Sequence, residues 1–274
     1  MSIQLSPAEV RGMNNAELFT DTEAMYKIAP SLFATHAHPR MSDKYAFTNT
    51  YDILLHIHNR GYRVTSIQGG DSTYKKVMIR MRSKHHIDKN NAPEIVILDS
   101  HDGSSRLKML LGIIKFACMN GMIVGDMFYS RAFTHRSIDL MEQVKLELLD
   151  IDTHIDALNQ RIERMASYTT TLADRIQLVE AVVKERWGED KDASFVAEMR
   201  QHLLTPRRRE DSDNDMYTVM NVIQENTLRG GMSYVSPNNR VVAVRPISDV
   251  RRNLGINQTV WNTAETLMAL REAA

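Results

Sequence analysis

Four residues in one short stretch, His101, Asp102, Ser104 and Ser105, are of the types that build a serine hydrolase. In such a set the acid orients the imidazole, which then takes the serine proton. The partners are assembled by a fold, whereas an adjacent His and Asp on a turn point apart. Asp102-Gly103 is itself a turn pair, and either serine can hydrogen-bond the local backbone. The residues read first as a structural turn, with ligand contact and a triad as the alternatives.

Histidines occur in pairs: His36/His38, His56/His58 and His85/His86. Two imidazoles share a helix face at a spacing of four, and a spacing of two on a helix over 51–59 splays them apart. No Cys-x-x-Cys accompanies them, so neither a metal nor another cofactor is expected. The stretch Gly69-Gly70-Asp71-Ser72-Thr73 lacks the Gly-Lys-Ser/Thr ending of a phosphate loop and reads as a hairpin turn. Cys118 is the single cysteine and lies in the apolar run 113–118, which predicts a buried filler and no intrachain disulfide.

Cations offer more. Val77, Ile79 and Met81 alternate with Lys76, Met78, Arg80 and Arg82, which puts Lys76, Arg80, Arg82 and Lys84 on one face, and Arg106 and Lys108 open a later run in the same phase. On neighbouring strands these would form a positive face, with Tyr62 or Tyr74 available to stack on bases, the combination that single-strand binders use. The competing reading is a solvated outer face. After Lys191 the chain has no lysine, yet it carries Arg207, Arg208, Arg209, Arg229, Arg240, Arg245, Arg251 and Arg252. Arginine's planar fork suits phosphate recognition, and intramolecular or intersubunit ion pairs are the alternative.

The elements that must position these groups predict an α+β fold: a small antiparallel sheet with flanking helices and a long heptad-patterned helical segment. Helices are expected over 17–28 and, capped by Thr50, over 51–59 with Gly61 as the stop. Strands are expected over 62–67, 75–84 and 94–99 and from Arg106, joined by short turns. Met141, Val144, Leu148, Ile151, Ile155, Leu158, Ile162 and Met165 are spaced alternately three and four apart, and Leu172, Ile176, Val179 and Val183 continue the series. That is the seam of a coiled coil or of a helical hairpin. Unbroken phase across Ser167-Tyr168-Thr169-Thr170-Thr171 favours one rod, joining copies of the chain or bracing its body. Residues 205–215 read as an exposed charged linker. Helices are expected over 216–227 and 259–273, with a further short one over 249–254. The resulting division is 1–135 sheet domain, 136–190 helical segment, and 191–274 mainly helical and packed back on the sheet.

Composition bounds the rest. The 274 residues carry 34 basic and 34 acidic side chains, so no whole-molecule field steers the chain to DNA or membrane. No stretch approaches the roughly 18 apolar residues of a spanning helix, and residues 1–13 lack a signal-peptide pattern, so a cytoplasmic protein is expected.

Several segments resemble the phage/plasmid-like family known as domain of unknown function 932: Tyr45-Ala46-Phe47; 77–82; Ser100-His101-Asp102-Gly103-Ser104-Ser105; 116–122 with Asn120-Gly121; and 220–226, containing Asn221 and Glu225, with Gly230-Gly231. The resemblance implies a mobile-element role and no established enzymatic activity. Together with the cations it leads to a non-catalytic accessory protein in a bacterial host, oligomeric and binding nucleic acid, single-stranded DNA above all. The alternative is a counter-defence protein that blocks a host protein complex, for which the 17 methionines would supply an adaptable surface.

Overall fold

The run Ile95-Val96-Ile97-Leu98 has no polar alternation, and neither does Leu110-Leu111-Gly112-Ile113-Ile114. Strands of that kind are covered on both faces. The computed structural model, which describes residues 3–4, 22–83, 91–115, 120–123, 130–133, 140–149, 151–236 and 238–273, has this arrangement. Two compact units emerge, one formed by Met1–Gly121 with Tyr129–Ile155 and the other by Met122–Phe128 with Asp156–Ala274. The boundaries expected at 135 and 190 do not coincide with this division.

The sheet contains β1 (Ile3–Gln4), β2 (Tyr62–Gly69), β3 (Val77–Ser83), β4 (Asn91–Asp99), β5 (Leu107–Lys115), β6 (Asn120–Ile123) and β7 (Ser130–Phe133). Strand order is β1-β2-β3-β4-β5-β6, with β7 also pairing β5. The β1–β2, β2–β3, β3–β4, β4–β5 and β5–β7 ladders are all antiparallel. Ile79 lies opposite Ile97 and Ile97 opposite Met109, and all three are fully buried. The other face of β3 and β4 is buried as well. A sheet with one solvated side, as expected from the alternation in 76–84, is therefore corrected.

Helix α1 (Thr22–Ile28) leads into a 3-10 turn (Pro30–Phe33), and α2 (Thr50–Asn59) packs on that turn and on β2. Ile53, Leu54 and Ile57 form its buried stripe. The cap is Asn49 rather than Thr50: its Oδ1 accepts from the N–H of Tyr51 at 2.8 Å and of Asp52 at 3.2 Å. That shift of one residue frees the Thr50 hydroxyl to turn inward. Gly70, at φ +72°, closes the β2–β3 turn so tightly that a Cβ there would collide with the Ser31 hydroxyl.

Helices α3 (Leu140–Leu149), α4 (Ile151–Ser167) and α5 (Leu172–Trp187) occupy the heptad region, and they are not one rod. Tyr168–Thr170 leaves the helix to pair with residues 214–216: Thr170 N–H donates to Asn214 O at 2.9 Å and Met216 N–H to Tyr168 O at 2.9 Å. Thr171 then restarts the helix through a capping box with Asp174. Val144, Leu148, Ile151, Ile155, Leu158, Ile162 and Met165 are buried within the chain itself, so they are not available to a second copy, and Met141 is half-buried. Beyond the break the expected seam is kept only in part. Val179 and Val183 of the expected series are buried, but Leu172 is 69% exposed and Ile176 half-exposed, and Leu178 and Val182, off the series, are buried as well.

In the second unit α5, α6 (Ala193–Leu204), α7 (Met216–Arg229) and α8 (Val250–Glu272) pack together. Helix α7 is the centre, with every residue from Met216 to Thr227 buried. A hairpin of β8 (Ser233–Val235) and β9 (Val241–Ala243) separates α7 from α8. The two helices expected over 249–254 and 259–273 are one continuous α8. Gly255 in its middle faces the Glu185 carboxylate, which a Cβ would strike. Asn257 is buried and satisfied: its Oδ1 accepts from Gln224 Nε2 and from Ile123 N–H, each at 2.8 Å. Residues 205–215 are not a free linker, because Asp211 is buried and Arg207 and Arg208 are bound to α7.

Candidate functional site

The cations of β3 do not form a surface row. Arg80 and Arg82 are buried and converge on Glu94 of β4, whose side chain is fully buried. Arg80 Nη1 lies 3.1 Å from Glu94 Oε2, and Arg82 Nη2 lies 2.8 Å from Oε1. Thr65 Oγ1 also donates to Oε1 at 3.2 Å. Burial by itself would raise the Glu94 pKa; the Arg82 and Arg80 guanidiniums outweigh it and hold the carboxyl below the usual range. The cross-strand register makes this pairing, since Arg82 stands directly opposite Glu94. Polyanion capture by the strand arginines is thereby corrected. Lys76 and Lys108 are half-buried and Arg106 is exposed, while Lys84, like Cys118 and His85/His86, lies outside the described residues. Neither tyrosine offers an open platform beside them: Tyr62 is buried, and Tyr74 gives a 2.7 Å hydrogen-bonding contact to His36 and packs edge-on against His38.

His101 and Asp102 do point apart. The His101 ring is fully buried, with Nε2 2.9 Å from Thr50 Oγ1, and the Thr50 hydroxyl donates to Asp99 Oδ2 at 2.8 Å. Because that hydroxyl has one proton, the imidazole must be the donor to Thr50 oxygen. Asp99 Oδ1 accepts from Ser100 N–H at 2.8 Å, and the Phe47 ring lies tilted against the His101 ring, their centres 5.0 Å apart. Tyr45 hydroxyl donates to Ser100 O, and burial, then Asp99 and Asp102, push its pKa well above the usual phenol value. Asp102 instead organises the turn, its Oδ1 accepting from Ser104 N–H at 2.9 Å, while Ser105 N–H donates to Ser100 Oγ. Thr50, Asp99 and His101 are all closed to solvent, and the threonine proton is directed to the carboxylate instead of the imidazole. This is a clamp between the start of α2 and the end of β4. It does not have the geometry of an activated nucleophile.

The side chains of the later motif also make internal contacts. Asn221 Nδ2 donates to Tyr217 O at 2.7 Å, and Glu225 receives Arg208 and Arg229, the latter at 3.0 Å. Arg229 is thus committed to an internal partner. Asn226 Nδ2 reaches the carbonyls of His202, Leu203 and Thr205, closing the end of α6. Asn120 and Gly121 open β6, and their side chains lie outside the described residues.

Further exposed cations lie around the β8–β9 hairpin. Arg240, Arg245, Arg251 and Arg252 are exposed, and none has a carboxylate within 4.0 Å among the described residues. Arg245 and Arg252 line a cleft of roughly 350 Å³ together with Arg186, Trp187, Tyr234 and Asp249. Arg186 Nη2 donates to Arg245 O at 2.6 Å, and its guanidinium lies 4.7 Å from the Trp187 ring centre. Trp187 meets Phe195 edge-on at 5.7 Å, and Phe195 meets Tyr234 at 5.0 Å, giving a half-exposed aromatic cluster. Burial and the neighbouring Arg252 pull the Arg186 pKa down to about 10. Sequence reasoning found Arg245 and Arg252 by composition but missed Arg186, Trp187 and Tyr234. Arg186-Trp187-Gly188 reads there only as the end of a helix, and no periodicity links it to residue 234.

Comparison with known proteins agrees with the segments above. Two curated proteins of Escherichia coli (strain K12) are each 28% identical to the chain, UPF0380 protein YafZ over 252 residues and UPF0380 protein YfjQ over 254, with 90% of both chains covered in each case. No solved structure matches. The family model described as Domain of unknown function (DUF932) matches residues 37–261, from the His38 loop through Trp261 of α8, and the chain belongs to that family.

Proposed function

We propose that this chain is a non-catalytic accessory protein of a phage or plasmid that binds nucleic acid, with single-stranded DNA favoured, through the arginine surface of its second unit. The supporting observation is the set Arg240, Arg245, Arg251 and Arg252, exposed and free of carboxylate partners among the described residues. Arginines in that state can neutralise phosphates without first breaking an ion pair. The half-exposed Trp187, Phe195 and Tyr234 beside them suit base stacking.

For single strands the logarithm of affinity falls with the logarithm of salt by about 0.7 per phosphate contact. Four contacts therefore predict a loss of roughly 50-fold between about 50 and about 200 mM salt. Fluorescence anisotropy with a labelled single-stranded oligonucleotide measures this, and changing all four arginines to Gln should remove most of the salt dependence. Absence of binding by the unaltered chain at low salt defeats the reading.

A second reading, binding and blocking a host protein complex, is favoured by Val235 and Val241. They face each other across the β8–β9 hairpin and are both exposed. Recovery of a defined host protein from nuclease-treated lysate, lost when both valines become Ser, would support it over the first.

A further inference from the structure

Two guanidiniums that share a cleft repel each other, and burial makes the repulsion larger. Arg186 and Arg252 are in that position. Arg186 is half-buried, and its Nη1 is out of solvent with no hydrogen-bond partner among the described residues. Its Nη2 is spent on Arg245 O. Among the described residues Asp249 is the acidic side chain lining the cleft; its carboxylate accepts from Arg252 N–H as the cap of α8, and no ion pair within 4.0 Å joins it to the arginines. Glu185, next in sequence to Arg186, is turned toward Gly255. Among the described residues the cleft is thus lined by three guanidiniums, those of Arg186, Arg245 and Arg252, and one carboxylate, and an anion with several acceptor oxygens would complement that excess of positive charge.

The walls narrow the choice. Trp187 and Tyr234 line the same cleft, each half-exposed, and Phe195 between them fixes their rings by edge-on contacts. A cleft of roughly 350 Å³ is at the small end of the usual range for compact ligands. A phosphate beside a flat aromatic group is the chemistry that meets both features.

We infer that the cleft between α5, the β8–β9 hairpin and the start of α8 binds one nucleotide unit, its phosphate between Arg186 and Arg252 and its base against Tyr234 and Trp187. The inference deepens the nucleic-acid reading and rests on it for the choice of ligand. The unit is either a free nucleotide or one residue of a single strand.

The test is titration calorimetry on the full chain, with Trp fluorescence as a second readout. The probes are deoxyadenosine monophosphate, deoxyadenosine, inorganic phosphate and a single-stranded oligonucleotide. Saturable binding of the monophosphate, tighter than that of deoxyadenosine or phosphate alone, is expected. Arg252→Gln should weaken it about 10- to 100-fold, the range for losing a charge-assisted hydrogen bond. Tyr234→Ala should weaken it too, while Lys75→Gln on the first unit should not. Arg252 is exposed, so its variant is expected to fold, and circular dichroism checks that for every variant. If the monophosphate fails to bind but the oligonucleotide binds equally to Arg252→Gln and the unaltered chain, the cleft is not the site and the wider reading stands. Monophosphate binding without oligonucleotide binding supports the cleft and sinks the strand-binding reading. Equal monophosphate affinity in Arg252→Gln and the unaltered chain overturns the cleft assignment.

Discussion

Arg82 Nη2 lies 2.8 Å from Glu94 Oε1 in a part of the sheet where Glu94 is fully buried and Arg82 is 3% exposed. With Arg80 on the other carboxylate oxygen, one anion answers two guanidiniums. Removing the anion takes from two buried cations the carboxylate that both of them bind. Glu94→Gln should therefore destabilise the chain by about 3–5 kcal/mol, measured by chemical denaturation. Replacing all three residues together by apolar ones of similar size (Arg80→Met, Arg82→Met, Glu94→Leu) should recover most of that loss. A single-variant effect below about 1 kcal/mol would show that the triad is not held as described.

The same carboxylate gives a pH dependence of known sign. Its folded pKa is held below the usual carboxylate range by Arg82 and Arg80, against the effect of burial. The unfolded chain binds the proton more readily, so the stabilisation is complete above the ordinary carboxylate pKa and disappears as pH falls through the folded value. Denaturation midpoints taken from neutral to acid pH should decline less steeply in Glu94→Gln than in the unaltered chain.

Thr50 holds Asp99 and His101 at once, and all three are closed to water. Thr50→Val keeps the shape and removes the hydroxyl. A cost of about 1–3 kcal/mol is expected, because the carboxylate and the imidazole each lose a buried partner. Thr50→Ser should retain most of the stability. Thermal unfolding of both variants checks this, and an unchanged melting point for Thr50→Val would remove the clamp.

The break at Tyr168–Thr171 separates the observed helices from a continuous rod. In a rod Leu172 would be a seam residue, yet it is 69% exposed, whereas Leu178, off the expected series, is fully buried. Leu172→Ser should alter stability by no more than about 0.5 kcal/mol. Leu178→Ala should cost about 2–5 kcal/mol. The reverse order in a denaturant titration would restore the rod.

Asn226 closes the C-terminal end of α6 by donating to the carbonyls of His202, Leu203 and Thr205 and accepting from Arg207 Nε at 2.6 Å. An Asn226→Leu variant should lose about 1–3 kcal/mol. Hydrogen exchange should show faster opening over 202–207, with the sheet unaffected.

Much of the local structure was legible in the sequence because short-range chemistry decides it. Gly61 ending α2, the hairpin turn at Gly69-Gly70, and the strand runs beginning near Tyr62, Val77 and Leu107 all appear where backbone sterics and apolar runs put them. The α+β class follows from those elements. Even the two-sided burial of the sheet had a signal in Ile95–Leu98, which a reading centred on the alternating cations passed over. What only the tertiary structure decided was which charge meets which. Glu94 answers Arg80 and Arg82 through a strand register, Glu225 answers Arg208 seventeen residues away, and His101 meets Thr50 fifty-one residues away. An arginine in a sequence carries the same charge whether it is exposed or opposite a carboxylate. The fold determines the difference through desolvation and pairing distance, and periodicity in one segment contains no information about either.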